Sequence, residues 1–192
     1  MAATLADMSS ATLPEFIVLD ASVVSEWAAP ATERQPHYAV NLAFMGRLSA
    51  AARDDQTLVV LPMLALIEVF HAQCKWVLKP QWLALPKPRP KSWMDYQKAN
   101  PSAIGAAMPR IRQALQDIID FPMWIPEPGE LAPTVLSTAD FRDRVPDLMH
   151  SFQMLSADAT ILAVAQRLAI PNVASLDVGW RRATGFTLFT AL

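Results

Sequence analysis

The stretch FIVLDASVVSEW, residues 16–27, decides how the fold is read. Phe16, Ile17, Val18 and Leu19 run without polar alternation into Asp20, and Ala21 and Ser22 then lead into a second apolar run. An unalternated aromatic and β-branched run predicts a strand covered on both faces, as in a parallel sheet. A carboxylate at the carboxyl end of such a strand falls where open α/β sheets place their ligands. The competing reading is that Asp20 or Ser22 simply caps the next helix, since both accept hydrogen bonds from free backbone N–H groups. What separates the two is whether other carboxylates gather at the same edge.

Outward from this strand, residues 36–55 space Ala39, Leu42, Ala43, Met45 and Leu48 as one helical face. TLVVLP predicts a short strand, with Pro62 suited to the first position of a helix. That helix, MLALIEVFHAQCKWVL, carries a stripe of Met63, Ile67, Phe70, Cys74 and Val77. Strands alternating with helices predict an α/β fold. From Leu78 to about Pro133 prolines accumulate and predict irregular chain, interrupted by a helix at IRQALQDIID and a short strand at MWI. The rhythm then resumes. Residues 136–155 read as a helix disturbed at Pro146, and SADATILAVAQRLAI reads as an amphipathic helix capped by Ser156. NVASLD and FTLF read as the last strands.

With 53% hydrophobic and 18% charged residues in 192, the chain can form a real core, and disorder is excluded as a class. One domain, 1–192, with an inserted segment at about 78–133 is the economical organisation. A formal net charge of −2 gives no global cationic field, so any nucleic-acid contact must be local. The single cysteine, Cys74, excludes an internal disulfide framework and fits a reducing compartment. MAATLADMSSATLPEF has no Lys or Arg and no continuous apolar run, unlike a secretory signal. LVVLPMLALIEVF is broken by Pro62 and Glu68 and is too short to span a bilayer. A cytoplasmic protein with no membrane partner is expected. No GxxxxGK[ST], GxGxxG or GxSxG motif is present, which argues against P-loop, dinucleotide and α/β-hydrolase chemistry. His71 and Cys74 share a helix, but two such residues make no soft-metal site.

Parallel connections place the two strand-terminal acids, Asp20 and Asp177, at one sheet edge. Glu68, on the helix after a third strand, and Asp158, in the first turn of the helix opening at Ser156, can converge there too. Each has its own structural reading: Asp158 suits a helix dipole, Glu68 can face solvent, and Asp177 can cap the turn before Gly179. Together they repel and raise one another's pKa unless a cation neutralises them. Oxygen-only donors select hard ions such as Mg²⁺ or Mn²⁺.

The order and context of these residues resemble the PIN-domain family of metal-dependent ribonucleases. LDAS (19–22) resembles the family's first acidic motif, PMLALIEV (62–69) its second with Glu68, SADATILAVA (156–165) its third with Asp158, and ASLDVGW (174–180) its fourth with Asp177. Ser175 falls where the family often carries a hydroxyl that orients a carboxylate. The chain departs from the pattern in its long, proline-rich stretch between Glu68 and Asp158, and in Trp180, which stands where phenylalanine is common. The resemblance implies a PIN-like three-layer fold, with helices flanking a short, mainly parallel sheet. It implies an Mg²⁺- or Mn²⁺-dependent endoribonuclease with Asp20 and Asp158 as main ligands, Glu68 and Asp177 as ligands partly through water, and Ser175 as an orienting group. The implied setting is the toxin of a bacterial toxin–antitoxin pair, whose partners would be RNA, an antitoxin protein and a second copy of the chain as a homodimer. The rival readings are a PIN-like RNA-binding or scaffold protein with little or no cleavage, and a structure-specific DNA nuclease.

Residues 75–112 hold half of the chain's 16 Lys and Arg against one acid, Asp95, with Trp76, Trp82, Trp93 and Tyr96 interleaved. That composition suits phosphate contact and base stacking, with Lys87, Arg89, Lys91 and Trp93 as candidate RNA-binding residues. Alternatively the tryptophans pack the insertion onto the domain or a second subunit, and the lysines are only solvated.

Overall fold

The computed structural model describes residues 2–126 and 136–191; the end of the insertion, 127–133, lies outside them. Five strands, β1 (Thr4–Asp7), β2 (Phe16–Leu19), β3 (Leu58–Val60), β4 (Asn172–Ala174) and β5 (Thr187–Thr190), form one sheet in the order β1-β5-β4-β2-β3. Every pairing between them is parallel. Ile17, Val18 and Leu19 are each fully buried although consecutive. Successive strand side chains point to opposite faces, so both faces are covered at β2, as its pattern predicts.

Parallel neighbours need crossovers. Between β2 and β3 these are α1 (Ala21–Trp27) and α2 (Tyr38–Arg53). Between β3 and β4 they are α3 (Met63–Leu83), α4 (Trp93–Ala99), α5 (Pro101–Ile119), α6 (Val145–Phe152) and α7 (Ser156–Arg167). A short 3₁₀ helix, Val178–Arg182, leads from β4 towards β5. The main core joins strand residues to Phe44, Leu48, Ile161 and Trp180, and Phe44 stacks on Phe189 at 6.1 Å. Among the described residues no helix is long and apolar enough to cross a membrane.

Several expectations are corrected. The sequence gives no strand signal at residues 4–7; β1 exists because β5 supplies its partners, with Thr4 N donating to Phe186 O (3.0 Å) and Met8 N to Thr190 O (3.1 Å). On α2 the buried face is Asn41, Phe44, Met45, Leu48 and Ala51, whereas Ala39, Leu42 and Ala43 are exposed. On α3 the expected stripe holds only in its second half. Ala65, Val69, Cys74 and Leu78 are buried, while Met63, Ile67 and Phe70 are 36%, 55% and 39% exposed. MWI makes a single parallel bridge, Val60 to Trp124, beside β3 rather than a full strand.

Among its described residues the insertion is largely helical, not irregular. α3 continues to Leu83 through Pro80, although a proline removes one helical hydrogen bond. α5 begins ten residues before the expected helix, at Pro101, and contains Pro109. Packing overrides the proline signal: Cys74, Leu78, Trp93, Ala107 and Ile111 form a second buried cluster between α3, α4 and α5. Before Pro146 the chain makes a wide turn, Asp140–Arg144, with Val145 N bonded to Asp140 O five residues back, which accounts for the expected disturbance. Ser156 does not cap α7; it is the first helical residue, and Leu155 holds the cap position without a side-chain bond.

Candidate active site

Asp20 sits at the carboxyl end of β2 as the cap residue of α1. It is buried, and burial pushes its carboxyl pKa up, with opposing contributions from Ser22 and Ser175. The register pairs Val18 with Val173 and Leu19 with Ala174, which brings Asp20 beside Ser175 across 155 residues of sequence. Ser175 Oγ donates to Asp20 Oδ2 at 2.8 Å and accepts from Asp177 N at 3.0 Å. Ser22 Oγ donates to the same Oδ2 and accepts from Leu176 N at 3.0 Å. Each hydroxyl has one proton, and both are spent on one carboxylate oxygen. The capping reading and the converging reading of Asp20 therefore hold together. Ser22 was legible only as a possible cap; its bridge to the β4 end was not.

The other three acids surround this pair from separate elements. Glu68 is half-buried on α3; its pKa is raised by burial, then by the charges of Asp20 and Asp158. Asp158, in the first turn of α7, is pushed up to about 6, by burial first and then by Asp20 and Asp177. The charges felt by Glu68 and Asp158 place all four carboxylates in one electrostatic neighbourhood. Asp177 also caps the 3₁₀ helix, its Oδ1 accepting from Gly179 N at 2.7 Å. A Cβ on Gly179 would stand 3.1 Å from that oxygen, so a side chain there would press on the acid.

Among the described residues no three His, Cys, Asp or Glu side chains stand close enough to hold a metal ion as a ready-made cage. The donor set is all oxygen and mutually repelling. Such a set fits a small hard cation that keeps several of its waters and is reached by one or two carboxylates directly.

The candidate RNA-binding residues are distributed differently from the expectation. Trp93 is buried in the α3–α5 cluster with its ring 5.0 Å from that of His71, so it presents no open face for a base. Arg89 lies 4.5 Å over the Trp82 ring and donates to Leu83 O at 2.8 Å, and Trp82 Nε1 donates to Pro90 O at 2.8 Å. These contacts fasten the insertion to itself. Lys87 and Lys91 are exposed. Trp180, which sequence reasoning noted only as a departure, is fully buried in the main core.

No protein-family model matches the chain, and no curated protein matches it. A crystal structure of VapBC2 from Rickettsia felis bound to a DNA fragment from its promoter is similar in structure, with a TM-score of 0.53 and 10% identity over 91% of this chain and 98% of that one. At that identity the likeness is one of fold, and with the all-parallel sheet and its flanking helices it establishes the PIN-like α/β architecture.

Proposed function

We propose that this chain is an Mg²⁺- or Mn²⁺-dependent endoribonuclease, acting at Asp20, Glu68, Asp158 and Asp177, and the toxin of a toxin–antitoxin pair. The observation that carries the reading is that acids from four separate elements meet at one sheet edge, where Asp20 and Asp158 act on Glu68, and Asp20 and Asp177 act on Asp158. Structural acids would be spread or paired with cations, whereas like charges held together favour a site that binds a cation. When bound, such an ion supplies an acidified water and neutralises charge on the phosphate.

The chain's own groups then have distinct tasks. The Ser22 and Ser175 hydroxyls fix Asp20 through Oδ2 and leave Oδ1 clear of both. Burial and the charges of Asp20 and Asp177 push the Asp158 pKa up to about 6, so it takes a proton more readily than an ordinary carboxyl. Glu68, half-buried, and Asp177, exposed at the rim, hold and orient water. Lys87 and Lys91 are the insertion's candidates for phosphate contact.

Ile67 adjoins Glu68, Val178 adjoins Asp177 and Leu155 opens the helix of Asp158; they are 55%, 59% and 74% exposed. Exposed large apolar side chains on the elements that carry the acids suit a protein partner, which in the proposed pair is the antitoxin. The likeness to VapBC2, solved bound to a DNA fragment from its promoter, supports a paired setting. One observation favours the scaffold reading instead, namely that the acids make no ready-made cage among the described residues.

The deciding experiment is cleavage of single-stranded RNA and flap DNA with Mn²⁺, Mg²⁺ or EDTA. The reading requires metal-dependent RNA cleavage that Asp20→Asn and Asp158→Asn each reduce by more than about 100-fold, beyond the range of a group that only orients a ligand. Absence of cleavage with intact Mn²⁺ binding supports the scaffold, and preference for flap DNA supports the DNA nuclease.

A further inference from the structure

Glu68 is not the last charged group on its face of α3. An α-helix turns about 100° per residue, so Lys75 and Lys79, seven and eleven residues on, stand within about 20° of Glu68 around the helix axis. They lie about 10 and about 16 Å further along it, at about 1.5 Å per residue. Both lysines are exposed, and half-buried Ala72 lies between them and the acid. Helical side chains lean towards the helix N-terminus, so the two lysine stems tilt back towards Glu68. Acid and cations share one stripe that starts at the carboxylate site.

Ordinary helix stabilisation does not account for these cations. A surface ion pair on a helix needs a spacing of three or four residues, and neither lysine has an acid at that distance on either side. Spaced by four, Lys75 and Lys79 instead repel each other. Among the described residues neither makes a hydrogen bond, ion pair or ring contact. Arg34, Arg47 and Arg89, by contrast, are each committed to a ring and a main-chain carbonyl. Two like charges held without a counter-charge, in line with a site read as cutting a phosphodiester, fit a polyanion. Lysine meets phosphate as a point charge on a flexible stem, which suits a backbone rather than a base.

We propose that Lys75 and Lys79 form a phosphate-binding track for single-stranded RNA, each holding one backbone phosphate on the same side of the cut bond and leading the strand along α3 to the acids. This rests on reading the acids as a ribonuclease centre. The track is separate from Lys87 and Lys91, which lie beyond the end of α3.

The test uses the full chain and a short single-stranded RNA whose cut bond has been mapped with Mn²⁺, with binding then measured in EDTA. The double variant Lys75→Ala, Lys79→Ala should bind about 10-fold more weakly and lose about 1.4 from the salt slope, at roughly 0.7 per phosphate contact. Alanine favours helix, and Lys75→Arg with Lys79→Arg, which keeps both charges, should restore binding. The same RNA carrying one uncharged methylphosphonate at successive positions then ties charge to place. Two positions on one side of the cut bond should cost wild type affinity and leave the double alanine variant indifferent, as expected for partners in contact. Unchanged affinity and salt slope in the double alanine variant overturn the proposal, as does an equal methylphosphonate loss in both proteins at every position. If wild type cuts no RNA, the ribonuclease reading has failed and the track falls with it, an outcome distinct because it is read in the unmodified protein.

Discussion

Ser175 Oγ lies 2.8 Å from Asp20 Oδ2, joining the ends of two adjacent parallel strands through a fully buried hydroxyl and a buried carboxylate. The same oxygen atom of Ser175 accepts from Asp177 N, so one side chain ties together two of the four acids. Ser175→Ala removes the donor and leaves both partners short. Hydrogen bonds to charged groups contribute about 1.5–3 kcal/mol, so urea unfolding at pH 7 should show a loss of about 2 kcal/mol. A stability within experimental error of wild type would mean the bond is not formed in solution.

Gathering Asp20, Glu68, Asp158 and Asp177 costs repulsion when no cation is present, and a divalent ion binding only the folded state offsets it by mass action. Mn²⁺ should raise the melting temperature of wild type. Asp158→Asn should melt higher than wild type in EDTA and gain less from Mn²⁺. A carboxylate acting only on the helix dipole predicts the reverse in EDTA, since its loss costs about 0.3–1 kcal/mol.

The raised pKa of Asp158, about 6 against its ordinary 3.8, fixes a sign for pH dependence. The folded state holds this proton more tightly than the unfolded state, so the group's stabilising contribution is full below pH 3.8 and is lost as pH rises to about 6. In EDTA the melting temperature of wild type should therefore fall across that window relative to Asp158→Asn. Mn²⁺ binding should run the other way and tighten as pH rises through about 6, because proton and metal compete for one carboxylate. Parallel melting curves for the two proteins would remove Asp158 as the titrating group.

Lys87 and Lys91 are exposed, whereas Arg89 is committed to Trp82 and Leu83 O. If the insertion grips RNA, the double variant Lys87→Ala, Lys91→Ala should weaken binding and reduce the salt slope by up to about 1.4, at roughly 0.7 per phosphate contact on a single strand. Arg89→Ala should instead loosen the insertion, read as faster proteolysis between Leu83 and Trp93. An unchanged salt slope in the double variant would assign the segment to packing or assembly.

The reach of the sequence differs from one element to the next. The run from Phe16 to Leu19, the acids at its end and at Asp177, and the first-turn position of Asp158 were legible, because strand burial and helix starts are written in neighbouring residues. β1 was not, since TLAD becomes a strand only beside β5. The insertion misled for a related reason: Pro80 and Pro109 read as breakers, yet α3 and α5 run through them because packing around Leu78 and Ile111 outweighs one lost hydrogen bond each.

The sequence by itself determined four of the five strands of the central sheet, and which acids can meet at its edge, since a parallel strand order sends every carboxyl end to the same side. Only the tertiary structure decided how those acids are held. The β2–β4 register sets Ser175 against Asp20, the turn after Asp177 buries Trp180 in the main core, and the rotation of α3 turns Met63, Ile67 and Phe70 outward. Each is a contact between residues far apart in the chain or a choice between helix faces of similar polarity. Local pattern cannot rank such choices, because their free energies arise from the partner surface.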